Sequence, residues 1–94
     1  MIDRARPDAF VRAEAVLTRD VETALLLRSP RSPGVVSLSG SGPHIWHLLR
    51  APVTVDELVT RLAEQFHVPA ETIADDVHRT VQALVEARVV RRAA

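Results

Sequence analysis

Between Leu27 and Val35 the chain runs Arg28-Ser29-Pro30-Arg31-Ser32-Pro33-Gly34. The two prolines each fix φ and remove a backbone donor, and the glycine admits left-handed backbone, so neither helix nor strand can continue through this segment. The elements on either side must be short and must reverse direction here. Upstream lie two apolar runs, Ala15-Val16-Leu17-Thr18 and Ala24-Leu25-Leu26-Leu27, split by Asp20-Val21-Glu22, and downstream lies Val35-Val36-Ser37-Leu38. Three such runs separated by turns predict a three-stranded antiparallel meander.

A second break, Ser39-Gly40-Ser41-Gly42-Pro43, ends the β pattern. Its serines offer a helix cap, and Pro43 is tolerated in a first helical turn, where its missing N–H costs little. Ile45, Trp46, Leu48 and Leu49 then mark one apolar face of a short helix, ended by Ala51-Pro52. Thr54-Val55-Asp56-Glu57 has the spacing of a capping box, in which the first and last side chains each satisfy the other's backbone N–H. Leu58, Leu62, Ala63 and Phe66 form the inner face of this second helix. Val68-Pro69 opens a third, with Ile73, Val77, Val81 and Leu84 at helical spacing and Arg88 closing the series, where a cation suits the helix dipole. The expected order is β-β-β-α-α-α, an α+β fold of winged helix-turn-helix type. Residues 1–13 show no clean period and read as an N-terminal arm, leaving one domain over residues 14–94.

The chain has 94 residues, enough for one modest core and too few to add a deep substrate cavity. Twelve basic and twelve acidic residues cancel, so the basic excess that usually marks a nucleic-acid binder is missing. The absence of Cys removes disulfides, thiolate metal sites and thiol nucleophiles. No apolar run reaches membrane-spanning length, and Met1–Pro7 lacks the apolar segment of a signal peptide, so the expected location is the cytoplasm with no membrane partner.

No catalytic set assembles. His44 and His47 stand three apart on a helix, but His67 and His78 lie on other elements and no acidic residue stands at a recognisable motif spacing. Ser39-Gly40-Ser41-Gly42 is neither a nucleophile elbow nor a phosphate loop, which needs a following Lys. Asp75 and Asp76 diverge by about 100° around a helix, too far to share a substrate easily. Trp46 reads as core. The expectation is a protein that is not an enzyme and uses no cofactor or metal.

Two features favour binding. The run Val35–Leu38 carries no Lys, Pro or inward charge and lies at the outer edge of a meander, where unpaired N–H and C=O groups invite an added strand. An edge covered by the N-terminal arm is the alternative. On the third helix, Asp76, Thr80, Ala83 and Ala87 lie along one flank of the core stripe, and small side chains there leave a shallow groove with Arg79 near its rim. An open edge beside a shallow groove suits an extended peptide.

The succession Val35-Val36-Ser37-Leu38-Ser39-Gly40-Ser41-Gly42, Ile45-Trp46-His47-Leu48-Leu49, Thr54-Val55-Asp56-Glu57-Leu58, Asp76-Val77 and Leu84 resembles the PqqD-like family, the peptide recognition domains of ribosomal peptide biosynthesis. It departs in having Ser39 where Asn is common and Arg50-Ala51-Pro52 in place of a turn with Gly. A free-standing chain of this size and composition is similar to the small leader-binding half of split lasso-peptide maturation proteins. The resemblance implies that the chain binds the leader of a precursor peptide as an extra strand against the third strand, packed on the third helix. It also implies a separate cysteine-protease-like leader peptidase. Carried over by position, the peptide-binding residues are Val35, Val36, Ser37 and Leu38, mainly through backbone, and Asp75, Asp76, Arg79, Thr80 and Ala83. A winged-helix DNA-binding regulator is the competing reading, but it would set Glu71, Asp75 and Asp76 against phosphates, at the end of the helix that normally contacts bases.

Overall fold

A computed structural model describes residues 8–93. The elements in chain order are β1 (Ala9–Arg12), β2 (Leu17–Val21), β3 (Ala24–Arg28), β4 (Val36–Leu38), α1 (Gly42–Leu48), β5 (Val53–Thr54), α2 (Val55–Phe66), α3 (Ala70–Glu86) and β6 (Val90–Arg92). The expected meander is present as the antiparallel sheet β2-β3-β4. Its first strand starts at Leu17 and runs through Asp20 and Val21, so the reversal falls at Glu22-Thr23 rather than at Asp20. All five β2 residues are exposed, so the burial pattern that sequence reading relies on is missing there.

A second antiparallel sheet, ordered β5-β1-β6, was not anticipated. It recruits Ala9–Arg12, read from sequence as part of an arm; residues 1–7 of that arm lie outside the described residues. Phe10 pairs with Val53 on one side and Arg92 on the other. Backbone bonds from Arg12 N to Leu49 O (3.0 Å) and from Ala13 N to Val89 O (2.9 Å) fasten β1 to the ends of α1 and α3.

The helix ends show which local rules operated. The Thr54–Glu57 capping box is complete, with Glu57 N donating to Thr54 Oγ1 (3.1 Å) and Thr54 N to Glu57 Oε1 (2.9 Å). The serine cap expected for α1 is not made: Ser41 occupies the N-cap position with no side-chain hydrogen bond. The start of α1 is set instead by backbone, with Gly42 N donating to Ser39 O (3.0 Å), and by close packing of Gly42 on β4. A Cβ at Gly42 would lie 2.9 Å from Leu38 Cβ, so only glycine lets the helix start this close to the strand.

Arg88 does not extend α3. It adopts left-handed backbone (φ 65°) one residue past the C-cap Ala87, where Arg88 N donates to Val85 O (3.0 Å) and Val89 N to Leu84 O (3.1 Å). This Schellman closure turns the chain into β6. His67 closes α2 in the same conformation (φ 57°), making the tight connection to Pro69 and α3.

Leu27, Ile45, Leu49, Leu58, Leu62 and Leu84 are fully buried and form one core with Leu38, Trp46, Val53, Val77 and Val81. The core stripe read on α3 holds, with Ile73 at its margin half-buried. On the β2-β3-β4 sheet, Leu25, Leu27, Val36 and Leu38 point into this core.

Candidate functional site

β4 pairs with β3 through Leu25–Leu38, Leu26–Ser37 and Leu27–Val36. In the order β2-β3-β4 its other side carries no strand among the described residues. The part of the N-terminal region that is described, β1, is committed to β5 and β6 and does not cover this edge. Alternate side chains divide between core and solvent, as the pleat requires. Leu38 is buried and Val36 half-buried, anchoring the strand, while Ser37 is exposed. Val35 lies just before the strand and is 58% exposed. The edge is thus a backbone rail, held from behind by two apolar side chains and by the packing of Gly42 on Leu38.

The five helix residues separate into two sets. Asp76, Thr80 and Ala83 follow one another along the same flank of α3, about 65° to 125° from the Val77–Val81–Leu84 stripe by helical geometry. Thr80 is half-buried, and Asp76 and Ala83 are exposed. Asp75 and Arg79 lie farther round, where they line a shallow surface depression with His78 and Gln82. Arg79 reaches back across the helix to Asp76 (3.3 Å), an exposed pair whose contribution to stability is small. The acidic first half of α3 (Glu71, Asp75, Asp76) is exposed.

A concavity that sequence reading missed lies on the opposite flank of α3. It is a cleft of about 360 Å³ lined by Phe10, Arg92, Thr54, Asp56, His78 and Gln82, among others. Its walls come from β1, β6 and the start of α2, which meet only because of the unexpected second sheet. Arg92 covers the Phe10 ring there, with the guanidinium carbon 5.3 Å from the ring centroid.

The single Trp is a core residue, as read from sequence: Trp46 is 5% exposed and belongs to the same buried cluster as Leu38 of β4. His44 lies edge-on to Phe66 (5.2 Å) and contacts Gln65 (3.2 Å between Nε2 and Nδ1), tying the start of α1 to the end of α2.

Comparison with known proteins places this geometry. The family model for coenzyme PQQ synthesis protein D (PqqD) matches residues 24–90. The PqqA binding protein of Gluconobacter oxydans (strain 621H) is 32% identical over 82 residues, covering 87% of this chain and 83% of that protein. Among solved structures, TbiB1 in complex with the TbiA(beta) leader peptide superposes with a TM-score of 0.73 at 20% identity, over 89% of this chain and 98% of that one. The match to the family model spans everything from β3 to the start of β6, and on that basis the chain belongs to the PqqD family.

Proposed function

We propose that this chain is a non-catalytic adaptor that binds the leader segment of a ribosomally made precursor peptide, a lasso-peptide precursor, and presents it to separate maturation enzymes in the cytoplasm. One of these enzymes is a cysteine-protease-like leader peptidase. The observation that carries the reading is the open outer edge of β4, uncharged and without a strand partner among the described residues. An extended leader adds to that edge as a further antiparallel or parallel strand, drawing its affinity from main-chain hydrogen bonds. Selection among leaders then falls to side-chain contacts, with Asp76, Thr80 and Ala83 of α3 as the residues that provide them. The names of two relatives, a PqqA binding protein and a complex with a leader peptide, support this direction.

The test is calorimetric titration of the wild-type chain and Val36→Pro with a synthetic leader peptide. Proline at this position removes one N–H and fixes φ, so strand pairing is disrupted on whichever side that N–H serves. Loss of leader binding with an unchanged circular dichroism spectrum supports strand addition. Unchanged fold with unchanged affinity overturns strand addition at β4.

A further inference from the structure

The sheet that offers its β4 edge also has an outward face that nothing in the described chain covers. Residues facing each other across strands share a face, so the face opposite the core carries Leu17 beside Arg28, and Arg19, Leu26 and Ser37 in the next row. Val35 extends the first row and lines one shallow depression with Leu17, Arg19, Leu26 and Arg28. Leu17 is 67% exposed and Val21, farther along β2, is 42% exposed. An apolar centre flanked by two arginines on a rigid sheet has no role in the core, whose contacts come from Leu25, Leu27, Val36 and Leu38 on the other face.

Resting on the adaptor reading above, we infer that this outward face docks the enzyme that acts on the bound precursor, through a surface of apolar side chains bordered by carboxylates. Charge selects the partner. A two-fold pairing of the face sets the same patch, with the cations of Arg19 and Arg28, against itself, whereas a different chain can supply the acids. Area fixes the kind of contact. These six residues cover on the order of 200 Å² of sheet, far below the roughly 800 Å² per partner of a stable interface. Such a face holds an enzyme weakly by itself. It becomes effective when one precursor spans both proteins, because the second contact is then made within a single complex. Val35 lies at the junction of the outward face and the leader edge, so the two surfaces adjoin without sharing β2.

The experiment uses a synthetic precursor and the purified leader peptidase that cleaves it, with the peptidase below saturation. Leu17→Asp and Arg19→Glu are each compared with the wild-type chain. Leader affinity by calorimetry is expected to stay unchanged in both variants, while cleavage of adaptor-bound precursor falls by about fivefold or more. For Arg19→Glu the loss should be greatest at low salt, as expected for a rim charge that steers encounter. Unchanged cleavage with either folded variant overturns the docking face. A wild-type dimer in light scattering that Leu17→Asp disperses also overturns it, assigning the face to a second copy. Absence of leader binding by the wild-type chain overturns the adaptor reading itself and is seen before any peptidase is added.

Discussion

The guanidinium of Arg12 donates from Nε and Nη2 to the carbonyl oxygen of Trp46, at 2.9 and 2.8 Å, and its central carbon lies 4.5 Å from the centroid of the same residue's indole ring. One side chain from β1 thus satisfies a carbonyl in the last turn of α1 and covers the aromatic face beside it. The cation also sits at the negative end of the helix dipole. Burial, and secondarily repulsion from Arg50, lowers the Arg12 pKa from its ordinary value, yet arginine remains charged at any physiological pH.

Arg12→Ala is expected to destabilise the protein by about 1–3 kcal/mol, because it removes charge-assisted bonds and a cation–π contact together. Arg12→Lys should recover only part of the loss, since an ammonium group lacks the planar fork. Urea unfolding followed by Trp46 fluorescence measures both. Equal stability of Arg12→Ala and wild type would mean that the backbone bond from Arg12 to Leu49 suffices to hold β1.

Arg88 occupies left-handed backbone that costs a side chain with a Cβ about 1 kcal/mol and costs glycine little. Arg88→Gly is therefore expected to raise stability by up to about 1 kcal/mol, less the larger unfolded-state entropy of glycine. A thermal melt against wild type reads the sign. A fall in melting temperature would show that the Arg88 side chain contributes more than the strain it imposes.

Ala83 lies on the exposed flank of α3, off the buried stripe. Ala83→Trp should leave the fold intact and weaken leader binding at least about tenfold, equivalent to about 1.4 kcal/mol, by placing a bulky ring on the flank proposed to contact the leader. Calorimetry with the leader peptide measures the affinity, and a thermal melt checks the fold. A folded variant that binds as well as wild type would place the leader on the other flank, around Ala74, His78 and Val85.

The Arg91–Glu14 pair (2.7 Å) joins β6 to the turn after β1. The hydrogen bond from Arg91 holds the Glu14 carboxyl below its usual pKa, with attraction to the same cation adding to it. A depressed folded-state value means that the pair stabilises at pH above the ordinary carboxylate range and that this is lost as pH falls through the folded value. Both side chains are exposed, so the effect is small. Glu14→Gln should melt slightly below wild type at neutral pH, and the difference should vanish in acid and shrink in high salt. A difference independent of pH would assign the loss to shape rather than charge.

Much of this architecture was legible in local chemistry. The Ser29–Gly34 segment forces the reversal between β3 and β4, and Ser29 Oγ accepts from Arg31 N (3.0 Å) to close that turn. The Thr54–Glu57 spacing places the start of α2 correctly because both partners of the cap are local. What escaped depends on distance along the chain. β1, β5 and β6 are two to four residues long, too short for alternation to register, and they exist because residues about forty to eighty positions apart pair, as Phe10 does with Val53 and with Arg92. Arg12 escaped for the same reason, since its carbonyl partner is 34 residues away. The β4 edge could be read from its neighbouring turns. The outward Leu17–Val35 face could not, because it needs the register between strands and a start at Leu17 rather than Ala15.

The two sheets share no strand, and the one bearing the free edge joins the core through four apolar side chains, Leu25, Leu27, Val36 and Leu38. Residues 17–38 therefore form a replaceable cassette. A chimera that keeps those four positions, the Ser29 turn and Gly42 can carry the recognition sheet of a relative while the Arg12 anchor and the helices stay as they are. Exchanging that block replaces the pairing edge alone, and the choice among leaders stays with Asp76, Thr80 and Ala83 on the retained helix.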